Sequence, residues 1–135
     1  MDHEEFWTAY GKALVDGDVE TTVAHYGFPC MAMADDFVGA LAGPDELRAA
    51  LARASGYYAQ FGAVAVRPEI LGVDGISEKL TRVRLRWHYF GADGQLLVTT
   101  NHEYTWRATP EGPRIHLTVA IDEAQELAAL AGGRA

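Results

Sequence analysis

An α+β domain is what this chain predicts: a curved, mostly antiparallel sheet carrying three helices on its concave face, plus a short C-terminal helix. Three observations lead there. Two long runs rich in β-branched, aromatic and aliphatic residues, spanning Leu80 to Arg107, flank Gly91-Ala92-Asp93-Gly94 and read as one antiparallel hairpin. Helix-start signals at Asp2, Asp18 and Gly43-Pro44 each precede an apolar pattern of helical period. Finally, the helices come early and four strands follow in a meander, an order that gathers the helices on one sheet face.

Asp2 caps the first helix, with Glu4 and Glu5 in its first turn favoured by the helix dipole. Phe6, Tyr10 and Leu14 fall at i, i+4 and i+8, and the helix breaks at Asp16-Gly17. Asp18 then caps a short second helix from Val19 to His25, which Gly27 and Pro29 end. Phe28 to Ala34 and Phe37 to Ala42, flanking Asp35-Asp36, read as a small hairpin or a bent strand pair. Gly43-Pro44-Asp45-Glu46 opens a third helix with Leu47, Leu51, Ala54 and Tyr58 on one face, closed at Phe61-Gly62. Val64, Val66 and Ile70 make a strand that Pro68 restricts to an edge or a bulge, and Asp74-Gly75 forms the next turn.

In the central hairpin, a loop of two or four residues pairs Trp87 with Thr100, Leu85 with His102, Val83 with Tyr104 and Thr81 with Trp106. A three-residue loop would invert the faces. With the first register, Arg82, Arg84, Arg86 and His88 lie on the other face opposite Thr105, Glu103, Asn101 and Thr99, with Arg84 across from Glu103. The turn at 109–113 leads to a half-buried last strand in which Ile115, Leu117, Val119 and Ile121 alternate with polar or small residues. Asp122 caps a terminal helix from Glu123 to about Leu130, and residues 131–135 are expected to fray.

The 135 residues make one domain, large enough to bury a core without staples. A single cysteine, Cys30, excludes an intrachain disulfide and a cysteine-based zinc site. An acidic start, no apolar run of membrane-spanning length and a net charge of -8 point to a soluble cytoplasmic protein that binds neither membrane nor nucleic acid. The five histidines show no metal-ligand spacing, the serines lack a nucleophile context, and no glycine-rich phosphate loop occurs. No metal and no cofactor is expected.

Phe6-Trp7-Thr8-Ala9-Tyr10, the Asp16-Gly17-Asp18 turn, Gly43-Pro44-Asp45-Glu46-Leu47 and the closing hairpin resemble the nuclear transport factor 2-like, or SnoaL-like, superfamily across nearly the whole chain. That resemblance implies a cone-shaped fold, a homodimer and an apolar pocket, shared by isomerases, dehydratases, cyclases and non-enzymatic association domains. Tyr10 resembles in position the oxyanion-hole tyrosine of ketosteroid isomerase, and His102 the position of its protonated aspartic acid. A histidine is not a carboxylic acid, and Asp35-Asp36, in the region of that enzyme's base, reads as a turn. Steroid isomerisation is therefore not implied.

Two functional expectations result. In the first, His102 moves a proton and Tyr10 stabilises an enolate-like charge, in a pocket lined by Trp7, Met31, Met33, Tyr58, Trp87 and Tyr104 that takes a small apolar or aromatic ligand. In the second, the fold is a non-catalytic ligand-binding or association module, with His102 and Tyr10 satisfied within a dry core.

Overall fold

The computed structural model describes residues 2–133. Six strands form one sheet in the order β2-β1-β6-β5-β4-β3: β1 (Tyr26–Ala34), β2 (Phe37–Leu41), β3 (Ala65–Gly75), β4 (Leu80–Phe90), β5 (Leu96–Thr109) and β6 (Gly112–Ala120). Among the described residues five helices accompany it: α1 (His3–Asp16), α2 (Val19–Ala24), α3 (Pro44–Arg53), α4 (Tyr57–Gln60) and α5 (Glu123–Gly133). Residues 131–133 thus continue α5, while 134–135 of the expected frayed tail lie outside the described residues.

The long hairpin has the expected register, Trp87 opposite Thr100, Leu85 opposite His102, Val83 opposite Tyr104 and Thr81 opposite Trp106. Period-two alternation then sorts its side chains. Val83, Leu85, Trp87 and Tyr89 are buried on the inner face, whereas Arg82, Arg84 and Arg86 are exposed on the outer one. The outer charges pair across strands, Arg82 with Asp74 at 3.3 Å and Arg84 with Glu103 at 3.6 Å, and His88 Nε2 hydrogen-bonds Glu69 at 2.8 Å.

Each helix start follows from its cap. The Asp2 carboxylate accepts from the Glu5 N–H at 2.8 Å, and Asp18 accepts from the Thr21 N–H at 3.2 Å. Gly17, at φ 72°, supplies the left-handed residue that ends α1 and lets α2 turn back. Phe6, Trp7 and Tyr10 of α1 enter the core against Trp87, Tyr104 and Trp106. At roughly 1.5–3 kcal/mol for each large apolar side chain fully buried, this aromatic layer is the main attachment of α1 to the sheet.

Three details differ from the sequence reading. The third helix is two: α3 ends at Arg53, and Gly56, at φ 81°, separates it from the single turn of α4. Asp74-Gly75 extends β3, so the β3–β4 turn falls at 76–79, while Pro68 sits on the edge strand as its missing N–H requires. The last strand pairs with β1 in parallel as well as with β5 antiparallel, Met31 opposite Leu117 and Met33 opposite Val119. Among the described residues, no helix is long and apolar enough to cross a membrane.

Candidate functional site

The ring chemistry predicted around His102 and Tyr10 is present, but as closed core. Tyr10 is 4% exposed and its hydroxyl shares a 2.6 Å hydrogen bond with that of Tyr26. Burial and the neighbouring Tyr26 and Tyr104 push the Tyr10 hydroxyl pKa well above its ordinary value. His102 is 8% exposed, its Nε2 lies 3.1 Å from Thr100 Oγ1, and its ring stacks on Tyr104 at 6.0 Å. Burial lowers the His102 pKa to about 4, opposed by the nearby Asp122, so the ring is neutral at pH 7.

Tyr104 lies between the two, 6.1 Å from the Tyr10 ring, and accepts a 2.8 Å hydrogen bond from the Trp87 indole N–H. Trp7 packs on the Tyr104 ring at 4.5 Å and is fully buried. Trp7, Trp87 and Tyr104 therefore fill the centre of the domain rather than line a pocket. Met31 and Met33 are 39% and 41% exposed. Their placement is a matter of parity: β1 turns Cys30 into the core, with Tyr26 and Phe28 packed against it on the same alternation, so the odd-numbered methionines face outward. That alternating Tyr26-Phe28-Cys30 series was the available signal.

A cavity of about 760 Å³ opens elsewhere, where α1, α2, α3, α4 and the start of α5 converge. Leu14, Val15 and Val19 form one wall, and Leu51, Ala54 and Tyr58 the opposite one, so the helix face expected from Leu51, Ala54 and Tyr58 does line a pocket. Of the pocket residues expected from sequence, Tyr58 is on it, while Trp7, Met31, Met33, Trp87 and Tyr104 are not in its lining. Tyr58 stacks on Tyr89 at 5.6 Å and meets Tyr57 edge-on at 5.1 Å. Burial raises both hydroxyl pKa values, that of Tyr57 to about 12.

Glu123 completes the lining, and sequence reasoning missed it. Its place is set by its neighbour. The Asp122 carboxylate accepts from the Asn101 backbone N–H and from Asn101 Nδ2, each at 2.7 Å, tying the start of α5 to β5. Glu123 is then held at the cavity, where no hydrogen bond or ion pair from a described residue meets its carboxylate. Burial, and secondarily the charge of Asp122, raises its pKa, and its own charge adds to the burial that chiefly raises those of Tyr57, Tyr58, Tyr89 and Tyr104. No local motif marks such a residue, because its position depends on a pairing 21 residues away.

Asp16 and Asp18 stand at the rim of the same cavity. Asp16 is engaged by Lys12, and Asp18 by Thr21, whose hydroxyl donates to it at 2.7 Å and holds its carboxyl below the usual range. Among the described residues no group of three metal-ligating side chains converges. The site is thus an apolar, tyrosine-walled recess with one carboxylate inside that no described residue pairs, and two paired ones at its edge.

A six-stranded bent sheet, helices on its concave side and a recess at the open end define the NTF2-like class. The chain belongs to that family: the model described as NTF2-like protein (DUF6841) matches residues 2–123. Solved structures agree at the level of fold. An NTF2-like protein of unknown function from Shewanella oneidensis superposes with a TM-score of 0.66 at 16% identity, over 87% of this chain and 94% of that one. A domain with a cystatin-like fold from Nostoc punctiforme gives 0.68 at 15% identity, over 87% and 73%. A ketosteroid isomerase-like protein from Erwinia carotovora gives 0.63 at 19% identity, over 87% and 91%. Curated proteins give no match.

Proposed function

We propose that this protein binds a small, largely apolar organic molecule in the recess between α1, α2, α3 and α4, with Glu123 and the tyrosine hydroxyls fixing its polar end. The recess itself carries the reading: about 760 Å³ lies within the roughly 300–1,000 Å³ typical of ligand sites, and its walls combine aliphatic side chains with a few convergent polar groups. Amide shift mapping with a library of apolar fragments tests it. Perturbations are expected to cluster at residues 51–59 and 123, and Ala52→Trp, which puts an indole at the cavity wall, is expected to remove them. Fragments that shift only residues elsewhere would defeat the proposal.

A second reading is favoured by Glu123 specifically. A carboxylate desolvated in an apolar recess is a stronger base than one in water, and the nearby Tyr58 hydroxyl is a hydrogen-bond donor to developing negative charge. This is cofactor-free proton transfer of the isomerase or dehydratase kind, with Glu123 and Tyr58 in the roles first expected of His102 and Tyr10. Ring opening of a nitrobenzisoxazole, which needs only a positioned base, provides an assay. Wild-type protein is expected to outpace Glu123→Gln by about 10²-fold or more. Equal rates would leave binding without catalysis.

A further inference from the structure

The charge pattern of the recess narrows the chemistry of what enters it. Among the described residues, its titratable lining consists of Asp16, Asp18, Glu123 and two tyrosines, with no lysine, arginine or histidine. Asp16 and Asp18 are already engaged by Lys12 and Thr21. Glu123 is different: most of its surroundings are protein, yet no described residue donates a hydrogen bond to it. A carboxylate partly withdrawn from water, with no described partner, carries a desolvation cost that an incoming cation would offset. An incoming anion would add to that cost.

The second observation is aromatic. Tyr57 and Tyr58 meet edge-on at 5.1 Å beside Glu123, presenting electron-rich rings next to the carboxylate. Rings of this kind attract an ammonium group while packing against the apolar body that carries it. We infer that the recess selects an organic amine in its ammonium form, its nitrogen paired with Glu123 against the Tyr57 and Tyr58 rings and its hydrocarbon body against Leu14, Val15 and Leu51. The inference rests on the ligand-binding reading above and adds the class of ligand.

Three probes of nearly equal shape separate the two: naphthylethylammonium, naphthylethanol and naphthylpropionate, titrated by calorimetry and by amide shifts against wild type and Glu123→Gln. The substitution keeps the side-chain shape and removes the charge, and its melting temperature and circular dichroism verify the fold. Because a charge-assisted hydrogen bond is about twice as strong as a neutral one, the amine is expected to bind wild type roughly tenfold more tightly than the alcohol, with the carboxylate weakest. In Glu123→Gln the amine is expected to fall to the level of the alcohol, whose own affinity changes little. If the alcohol or carboxylate equals the amine in wild type, or the amine keeps its advantage in Glu123→Gln, the amine inference is overturned while the pocket stands. If none of the three shifts residues 51–59 or 123, the pocket reading falls and takes the inference with it.

Discussion

His102 and Glu123 are opposite cases of burial acting on a titratable side chain. For His102, folding lowers the pKa from the ordinary 6.5 to about 4. Between those values the unfolded chain holds a proton that the native one does not, so stability is full above pH 6.5 and declines as pH falls toward 4. By linkage the loss is about 3 kcal/mol at the acid end, since each pKa unit is worth about 1.4 kcal/mol. His102→Gln cannot charge, so it is expected to melt below wild type at pH 7, because the Thr100 contact is lost, and to close that gap by pH 4.5. A gap independent of pH would show that His102 is not held neutral.

Glu123 runs the other way: its folded pKa is raised, so its ionisation costs stability as pH rises above the ordinary carboxylate range. Glu123→Gln is therefore expected to raise the melting temperature at pH 7 to 8 and to have no effect near pH 4. Read together by thermal melts across pH, the two variants separate titrations that overlap in wild type. At this scale the sequence was informative about residue type and face but not about depth. Tyr10 and His102 did turn inward, yet helix and strand periods alone do not tell a cavity wall from a filled core, since that depends on what the opposite element contributes.

Among the elements, the close approach of α1 to the sheet is set by Gly11. A Cβ there would stand 2.7 Å from Trp87 Cζ3 and 3.0 Å from Val66 Cγ1. The Trp87 ring cannot swing aside, because it is buried and bonded to the Tyr104 hydroxyl at 2.8 Å. In an open helix Gly→Ala would stabilise by about 1 kcal/mol. Here overpacking reverses the sign, and Gly11→Ala is expected to lower stability by about 1–3 kcal/mol in urea denaturation. Stability equal to wild type would mean that α1 can ride outward. The elements themselves were well encoded: caps at Asp2 and Asp18, the Asp35-Asp36 turn and the β4–β5 register all rest on short-range chemistry. The parallel pairing of β1 with β6 was not, because its partners are more than 80 residues apart and no turn links them. Nor was the break at Gly56, where a continuous apolar face concealed a left-handed residue.

For the whole molecule, the remaining question is what covers the outer face of the sheet. The long strands β4 and β5 present Arg82, Arg84, Arg86 and Glu103 there, the three arginines exposed and Glu103 partly buried. Most of these charges are already paired across strands, so apposing a second copy would bury pairs rather than lone ions, which lessens the desolvation cost. Homodimerisation through this face is accordingly proposed, and sedimentation at micromolar concentration is expected to give a dimer. Arg84→Glu sets two acids opposite each other on neighbouring strands and would repeat that repulsion across a two-fold interface, so it is expected to shift the protein toward monomer. The recess opens at the end of the domain and not through the outer sheet face, so ligand binding is expected to survive that substitution. A wild-type monomer would remove the dimer proposal, and a ligand affinity that fell with the dimer would show that the two faces are coupled.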